Sequence, residues 1–363
     1  MDILSSRYNK CSVFVHQGLG DLIMAIPLLV GIFERVKSES FQLVFYVKTK
    51  NEVEFIKTII GTNKNVRVDI IGQSQGTNKL LRVLHTLRIL LCTSWKKQVI
   101  ISPYFTNSYW TAAFLFFFPY SFKIGTLQSK LKRCLNFTVQ YKIGNHKAEH
   151  VLQLCEAVGV LNALTIADIR ENKFNSSFLK KKCNISLNNC KKDNTIIFSP
   201  GSGEAEKYKR WPVNKFSELA NLLLSDDLLL KIIIIGNESE LELANEIIAG
   251  VVYKDRIVSK NNLRFIEILA EIERSNAIVC ACSGMAHVAS LTSTKIIGLF
   301  GPTDYRVTGP YSTNVTIVSS DMSCSPCYPK KNLCMTSGES ECMRRIVATD
   351  VFNVLVSKIT YEG

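Results

Sequence analysis

The sequence predicts an α/β protein of two domains, each built around a parallel sheet. Strand-like and helix-like segments alternate in both halves of the chain, which is the pattern of parallel α/β sheets. Residues 171–194, rich in Asn, Ser and Lys, read as a linker between the halves. The 363 residues, 47% hydrophobic and 21% charged, are enough for two sizeable cores. We therefore expect one domain over residues 1–175, a second over 176–345, and a final helical segment over 346–363.

The elements of the first half are predicted in the order strand, helix, strand, helix, strand. They are Ser12–Val15, Asp21–Val36, Gln42–Val47, Asn51–Ile60 and Gln98–Ser102. The longest apolar run, Tyr109–Tyr120, has twelve residues, fewer than the ~20 that span a bilayer. It indicates a buried helix, with a surface that dips into lipid as the alternative.

The second half repeats this alternation. Strands are predicted at Thr195–Ser199, Lys231–Gly236, Ala277–Ala281 and Lys295–Phe300, and helices at Val213–Leu224, Ser239–Ala249 and Phe265–Ser275. Two Rossmann-like halves suit either a dehydrogenase or a transferase. The turn after the first strand has Ile23 where a dinucleotide fingerprint has its third Gly, and the second strand ends in Lys48 rather than a ribose-binding acid. Both features disfavour a nicotinamide oxidoreductase.

The segment 280–302 is the most informative part of the chain. It reads as a strand, a tight turn, a short helix and a second strand. Backbone N–H groups at the first turn of a helix, together with the helix dipole, favour an anion such as a diphosphate. The side chain of His287 could add a donor. The candidate donor-binding residues of this turn are Cys282, Ser283, Gly284, Met285, Ala286 and His287.

A second candidate anion site is the loop 199–212, which follows a strand and precedes a helix. Its hydroxyl, amide and cationic groups suit two phosphates in a row, while a solvated charged loop is the alternative. The Pro-Gly-Ser-Gly start and the Trp-Pro end favour a shaped loop. Its candidate residues are Ser202, Gly203, Lys207, Lys209 and Arg210.

Two carboxylates follow predicted strands, where α/β folds bind their ligands. Asp21, in a turn with Gly18 and Gly20, reads either as a helix N-cap or as a general base. The glycines would let a substrate approach the backbone closely. Glu240 reads either as a ribose-binding acid or as a first-turn acid favoured by the helix dipole.

Four of the twelve cysteines lie within nineteen residues. Their spacing could close a tetrahedral zinc or iron site, although it matches no standard zinc finger, and uncoordinated cytosolic thiols are the alternative. The four residues are Cys324, Cys327, Cys334 and Cys342.

Together these segments resemble glycosyltransferase family 9, the family of ADP-heptose:lipopolysaccharide heptosyltransferases. The resemblance lies in Gly-Leu-Gly-Asp-X5-Pro (18–27), Pro-Gly-Ser…Lys-Arg-Trp-Pro (200–212) and Ser-Gly-Met-Ala-His-Val-Ala…Gly-Leu-Phe-Gly-Pro-Thr-Asp (283–304). The cysteine segment followed by Cys-Met-Arg-Arg-Ile (342–346) is similar to the tail of many members. The resemblance covers most of the chain.

The resemblance implies a GT-B architecture, in which two Rossmann-like domains face each other across a cleft. The acceptor would bind the N-terminal domain and the nucleotide sugar the C-terminal one, and the last helix, around Asp350–Ile359, would pack back on the first domain. The implied reaction is inverting sugar transfer that requires no cofactor or catalytic metal. In it Asp21 deprotonates the acceptor hydroxyl and Glu240 holds the ribose. Lys209 and the N–H groups of residues 284–287 stabilise the departing diphosphate.

Two positions depart from the family's usual pattern. Cys282 stands where Asp is usual, so the donor need not be ADP-heptose. Val15-His16 stands where Lys or Arg is usual, and His16 could serve as a titratable donor on the acceptor side, beside Gly18 and Gly20.

Charge and composition restrict the kinds of partner that the sequence predicts. Residues 1–170 carry 21 Lys and Arg against 10 Asp and Glu, whereas residues 171–363 carry 23 against 21. A basic first half favours an anionic partner, and the absence of a nucleic-acid motif disfavours DNA and RNA. Twelve cysteines and no secretory signal predict a cytosolic setting.

The function that the resemblance implies is transfer of a sugar, with heptose from ADP-heptose favoured, onto a lipopolysaccharide- or O-antigen-type acceptor. A lipid-linked anionic saccharide at the cytoplasmic face of a membrane would match the basic half, so we expect peripheral membrane association. The alternatives are another nucleotide sugar, a protein acceptor, or a non-catalytic relative that binds saccharide or nucleotide.

Overall fold

The chain forms two compact units, each with its own parallel sheet. One unit ends at Glu171, and the other takes up most of the chain from Asn172 onward. The computed structural model describes residues 8–15, 18–36, 41–47, 49–61, 63–70, 97–103, 118–127, 135–140, 142, 144–174, 192–328 and 340–359.

The sheet of the first unit has six parallel strands in the order β3-β2-β1-β4-β5-β6. This is the order of Rossmann sheets, which reverses direction between the first and fourth strands. The strands are β1 Lys10–Phe14, β2 Gln42–Val47, β3 Val66–Ile70, β4 Val99–Ser102, β5 Phe122–Leu127 and β6 Phe137–Gln140. Burial of β1 and β4 over their whole length is typical of the central strands of such a sheet.

The helices of the first unit pack on this sheet. They are α1 Leu19–Met24, α2 Ile26–Val36, α3 Lys50–Ile60, α4 Lys147–Val158 and α5 Ala163–Asn172. The single helix predicted over Asp21–Val36 is wrong, because the chain turns at Ala25 and starts a new helix. Pro27 has no N–H to continue the first helix, and its fixed φ suits the first turn of the second.

The second unit repeats the same topology. Its six parallel strands lie in the order β12-β11-β10-β7-β8-β9, which reverses direction between β7 and β10. The strands are β7 Thr195–Ser199, β8 Lys231–Gly236, β9 Ile257–Asn261, β10 Ala277–Ala281, β11 Lys295–Phe300 and β12 Val315–Ser319. Its α-helices are α6 Val213–Asp226, α7 Leu241–Ala249, α8 Phe265–Arg274, α9 Gly284–Ala289, α10 Tyr305–Thr308, α11 Glu341–Arg344 and α12 Ala348–Lys358. Short 3-10 helices cover Glu204–Lys209, Glu238–Glu240 and Lys254–Arg256.

The final helix, α12, belongs to the second unit. Its buried residues Ala348, Val351 and Leu355 are part of that unit's core. Just before it, the carbonyl oxygen of Ile346 accepts a 2.9 Å hydrogen bond from the indole N–H of the buried Trp211. The apolar face of this helix is therefore covered within its own unit, and the expectation that the helix also packs back on the N-terminal domain stays a prediction.

Several predicted features fall outside the described residues. They are His16, Lys48, Cys334, most of the apolar run 109–120 and most of the linker 171–194. Over the residues that are described, no helix is long and apolar enough to cross a membrane.

Candidate functional site

The candidate residues gather where the two sheets reverse direction, which is where open α/β sheets bind ligands. In the first unit, Gly18 and Asp21 follow β1, the strand next to β4. In the second unit, the loop 200–209 follows β7, and Ser283 follows the neighbouring strand β10. Glu240 follows β8, on the other side of β7.

The carboxylate of Asp21 forms an ion pair that the sequence did not predict. Its Oδ1 lies 2.8 Å from Nζ of Lys147, and the two side chains are 16% and 27% exposed. Lys147 is the first residue of α4, whose N-cap His146 accepts the N–H of Ala148 through Nδ1. Because that cap fixes the start of α4, it also fixes the ammonium group beside Asp21. The pair leaves Asp21 oriented and in reach of solvent, as a base that must meet a substrate requires.

The glycine turn before Asp21 begins the helix that carries Asp21. Gly18 is the N-cap of α1 and has φ 148°, a conformation that L side chains rarely adopt. A Cβ there would meet nothing within 4 Å, so the backbone angle and not crowding requires glycine. Since Gly18 is the cap, the interpretation of Asp21 as an N-cap is wrong. Asp21 lies in the first turn, where the helix dipole favours its charge.

Lys209 is a buried cation of the second unit. It is 7% exposed, and its Nζ lies 2.6 Å from Oε1 of Glu206 and 5.2 Å from the ring centre of Tyr328. The carboxylate and the aromatic face together hold the ammonium group in position, and Glu206 itself is 40% exposed. Sequence reasoning missed both partners. Burial raises the pKa of the adjacent Tyr208 to about 12, and the negative charge of Glu206 is the second cause. The phenol of Tyr208 therefore stays neutral.

The loop that carries Lys209 is closed by its own polar groups. The Ser202 hydroxyl donates to the carbonyl oxygen of Glu206 at 2.9 Å, and Nη2 of Arg210 donates to the carbonyl oxygen of Ser202 at 2.9 Å. Gly203 is the exposed N-cap of the 3-10 helix. The loop is therefore shaped, as its Pro-Gly-Ser-Gly start indicated. Lys207, in contrast, lines a separate cavity at the start of α6.

The carboxylate of Glu240 lies against two glycines from neighbouring strand ends. A Cβ on Gly201 would lie 2.6 Å from Oε2 and closer still to Oε1, and a Cβ on Gly236 would lie 3.1 Å from Oε2. Oε2 also accepts the N–H of Asn237 at 3.0 Å. Glu240 therefore caps its own turn, and its partly exposed carboxylate reaches the backbone of the loop 200–209, while its role as a ribose-binding acid stays a prediction.

The turn after β10 presents a helix N-terminus, as predicted. Ser283 is the N-cap of α9 in extended conformation, and its side chain makes no capping bond. Its buried Oγ has no hydrogen-bond partner among the described residues. Cys282 and His287 are 9% and 6% exposed, while Gly284 and Met285 are more open. An unsatisfied hydroxyl at a helix N-terminus matches the requirements of an anion.

The predicted cysteine site is not assembled from the cysteines that the structure describes. Cys324 is exposed, Cys327 is partly exposed and Cys342 is buried against Gly301. Within the described ranges, no three His, Cys, Asp or Glu side chains are placed to hold a metal. Cys342 instead packs in the core of the second unit.

The chain has two Rossmann-like units. One has a carboxylate at its switch point, and the other has a cation, an acid and a helix N-terminus there. This arrangement is that of a glycosyltransferase of the GT-B class. The model of glycosyltransferase family 9 (heptosyltransferase) matches residues 104–336, which is more than half of the chain. The chain belongs to this family.

Relatives of known function agree with this assignment. The chain is 28% identical over 327 residues to lipooligosaccharide heptosyltransferase 2 of Campylobacter jejuni serotype O:2, covering 88% of this chain and 90% of that one. Its fold matches the structure of ADP-heptose lps heptosyltransferase II of E. coli, with a TM-score of 0.64, 17% identity, and 96% and 98% coverage. It also matches E. coli heptosyltransferase WaaC with ADP, with a TM-score of 0.64, 15% identity, and 96% and 99% coverage.

Proposed function

We propose that this glycosyltransferase transfers heptose from ADP-heptose, with inversion, to a saccharide acceptor of the lipopolysaccharide core. The observation that carries the proposal is the placement of Asp21, an oriented and accessible carboxylate in a glycine turn at the switch point of the first sheet. The names of the relatives support the donor and the acceptor class, since they are heptosyltransferases of lipooligosaccharide or lipopolysaccharide, and WaaC was solved with ADP.

The chemistry assigned to Asp21 is that of a general base. Its carboxylate takes the proton of the acceptor hydroxyl as the hydroxyl oxygen attacks the anomeric carbon of the heptose. The bond between that carbon and the diphosphate oxygen breaks on the opposite face, so the configuration inverts and ADP leaves. Lys147 positions the carboxylate.

The second unit is assigned to the donor. The negative charge that develops on the departing diphosphate is stabilised by Lys209 and by the backbone N–H groups of Gly284, Met285, Ala286 and His287. The Ser283 hydroxyl donates a hydrogen bond to the same diphosphate and so gains the partner it lacks. Removing a preorganised donor of this kind costs ~3–4 kcal/mol of barrier. Glu240 accepts hydrogen bonds from the ribose hydroxyls, with Ser202 and Gly203 at the edge of the site. No step requires a metal.

The acceptor and the membrane are assigned to the first unit. His16, Gly18 and Gly20 belong to the acceptor side in this proposal. A core saccharide linked to lipid carries negative charge, and the excess of 21 cationic over 10 anionic residues in residues 1–170 attracts such a surface. We place the enzyme at the inner face of the cytoplasmic membrane, held peripherally.

The experiment is calorimetric titration with ADP-heptose and with GDP-, UDP- and CDP-sugars, with NAD as the negative control. Binding of ADP-heptose in preference to the others, followed by transfer to a core acceptor lacking heptose, supports the proposal. Preference for another base would identify a different donor, for which Cys282 in place of the usual Asp is the first residue to examine. Absence of any binding would favour a non-catalytic relative.

A further inference from the structure

A cavity of about 530 Å³ lies at the start of α6 in the second unit. Its polar wall consists largely of cations: Lys207, Arg210, Lys215 and Arg344. Trp211 and Pro212 contribute to its apolar wall. Its lining includes neither Lys209, nor Glu240, nor the turn 282–287, so it is not the proposed donor site.

Carboxylates lie beside two of these cations, Lys215 and Arg344. Nζ of Lys215 lies 3.0 Å from Oε2 of Glu218, and Nε of Arg344 lies 3.5 Å from Oε2 of Glu341. All four side chains are partly exposed, and such surface ion pairs are weak. An entering anion can therefore compete with these carboxylates for the cations.

The N-terminus of α6 adds backbone donors to the same cavity. This helix has fourteen residues, and its N-cap Pro212 has no side chain that could cap it. Val213 and Asn214, whose N–H groups belong to the first turn, line the cavity. The positive end of the helix dipole therefore faces the space that the cations surround.

Ser340 is an independent observation that points to a ligand. It lines the cavity, is 4% exposed, and its Oγ has no hydrogen-bond partner among the described residues. Leaving a buried hydroxyl unsatisfied costs free energy, and such groups in native proteins are usually bonded to something. An anion in the cavity would accept its hydrogen.

We infer that this cavity binds a phosphomonoester, as a site distinct from the donor site. Cationic side chains, helix N–H groups and a hydroxyl are the groups that hold a phosphate. The volume lies within the roughly 300–1,000 Å³ of small-molecule sites, so it admits a phosphorylated sugar rather than the bare ion alone. Lys207 then serves this site and not the donor diphosphate. Arg210, which also donates to the carbonyl oxygen of Ser202, connects it to the donor loop.

The test is calorimetric titration of the full chain with inorganic phosphate and with glucose 6-phosphate. Lys207→Ala and Arg344→Ala should each weaken binding about tenfold, as loss of a charge-assisted hydrogen bond predicts. Lys254→Ala, which removes an exposed lysine of the same unit, is the matched control and should change nothing. Ser340→Ala should weaken binding while leaving the unliganded protein as stable or more stable, a combination that a structural role would not produce.

Further measurements distinguish a soluble ligand from a lipid headgroup, and this cavity from the donor site. Glucose 6-phosphate bound in solution indicates a soluble ligand, and binding only to vesicles that contain phosphatidic acid indicates a lipid headgroup. In both cases the loss in Lys207→Ala identifies the cavity. Phosphate binding that is abolished by Lys209→Ala and unaffected in the cavity variants would place the ion in the donor site and overturn the inference. So would the absence of binding to phosphate and glucose 6-phosphate at millimolar concentrations and to the phosphatidic acid vesicles alike. ADP binding, measured separately, reports on the proposed function alone.

Discussion

Gly201→Ala should displace the carboxylate of Glu240 without removing it. The new Cβ would lie 2.6 Å from Oε2 and closer still to Oε1, where ordinary contact needs about 3.5 Å, so the carboxylate must move by roughly 1.5 Å or more. Because the end of a flexible side chain can move at little cost, we expect the free energy of unfolding to change by less than about 1 kcal/mol. In the proposed donor site, the shifted carboxylate would no longer meet the ribose. A lost hydrogen bond to a charged group is worth ~1.5–3 kcal/mol, which predicts a Kd for ADP raised about 10- to 100-fold.

The assay is calorimetry with ADP, combined with thermal unfolding, on a double-mutant cycle. Glu240→Ala should weaken ADP binding as much as Gly201→Ala does, and the double variant should be no weaker than either single variant. Glu246→Ala is the control, because it removes an exposed carboxylate of α7, outside the proposed donor site, and leaves Glu240 in place. Additive losses in the double variant would show that Gly201 acts independently of Glu240, and the reasoning would be refuted.

Two further predictions concern the first unit. Lys147→Met, which removes the ammonium group 2.8 Å from Asp21, should lower kcat while leaving the affinity for ADP unchanged, and steady-state kinetics with calorimetry check this. An equal loss of ADP binding would contradict a role confined to Asp21. Burial lowers the pKa of His150 below its usual value of 6.5. The unfolded chain therefore binds a proton that the folded one does not, so unfolding becomes easier as the pH falls below about 6.5. His150→Asn should flatten the fall in melting temperature between pH 7 and pH 5, and an unchanged slope would exclude His150 as its cause.

Local patterns were enough to predict four of the six strands of the second sheet, but not β9 and β12. The ends of β7, β8, β10 and β11 agree with the predicted strands because each is a short apolar run between turn residues. The break of the first helix at Ala25 has a local signal too, because Pro27 has no N–H to continue that helix.

The partners of the candidate residues could not be predicted. Lys147 meets Asp21 across 126 positions of sequence, and only the packing of α4 against the first unit brings them together. Tyr328 reaches Lys209 in the same long-range way. The apolar residues of α12 do not specify by themselves which core covers them, and the structure places Ala348, Val351 and Leu355 in the core of the second unit.

The most direct test of the proposed mechanism is the transfer of heptose by Asp21→Asn. This variant keeps the shape of the side chain and removes its basicity. We predict that the rate of transfer from ADP-heptose falls by about 10²- to 10⁴-fold, the usual contribution of a general base, while the Kd for ADP stays unchanged. A variant that transfers heptose at the wild-type rate would contradict the assignment of Asp21 as the base. A loss of transfer matched by a loss of ADP binding would place Asp21 in the donor site.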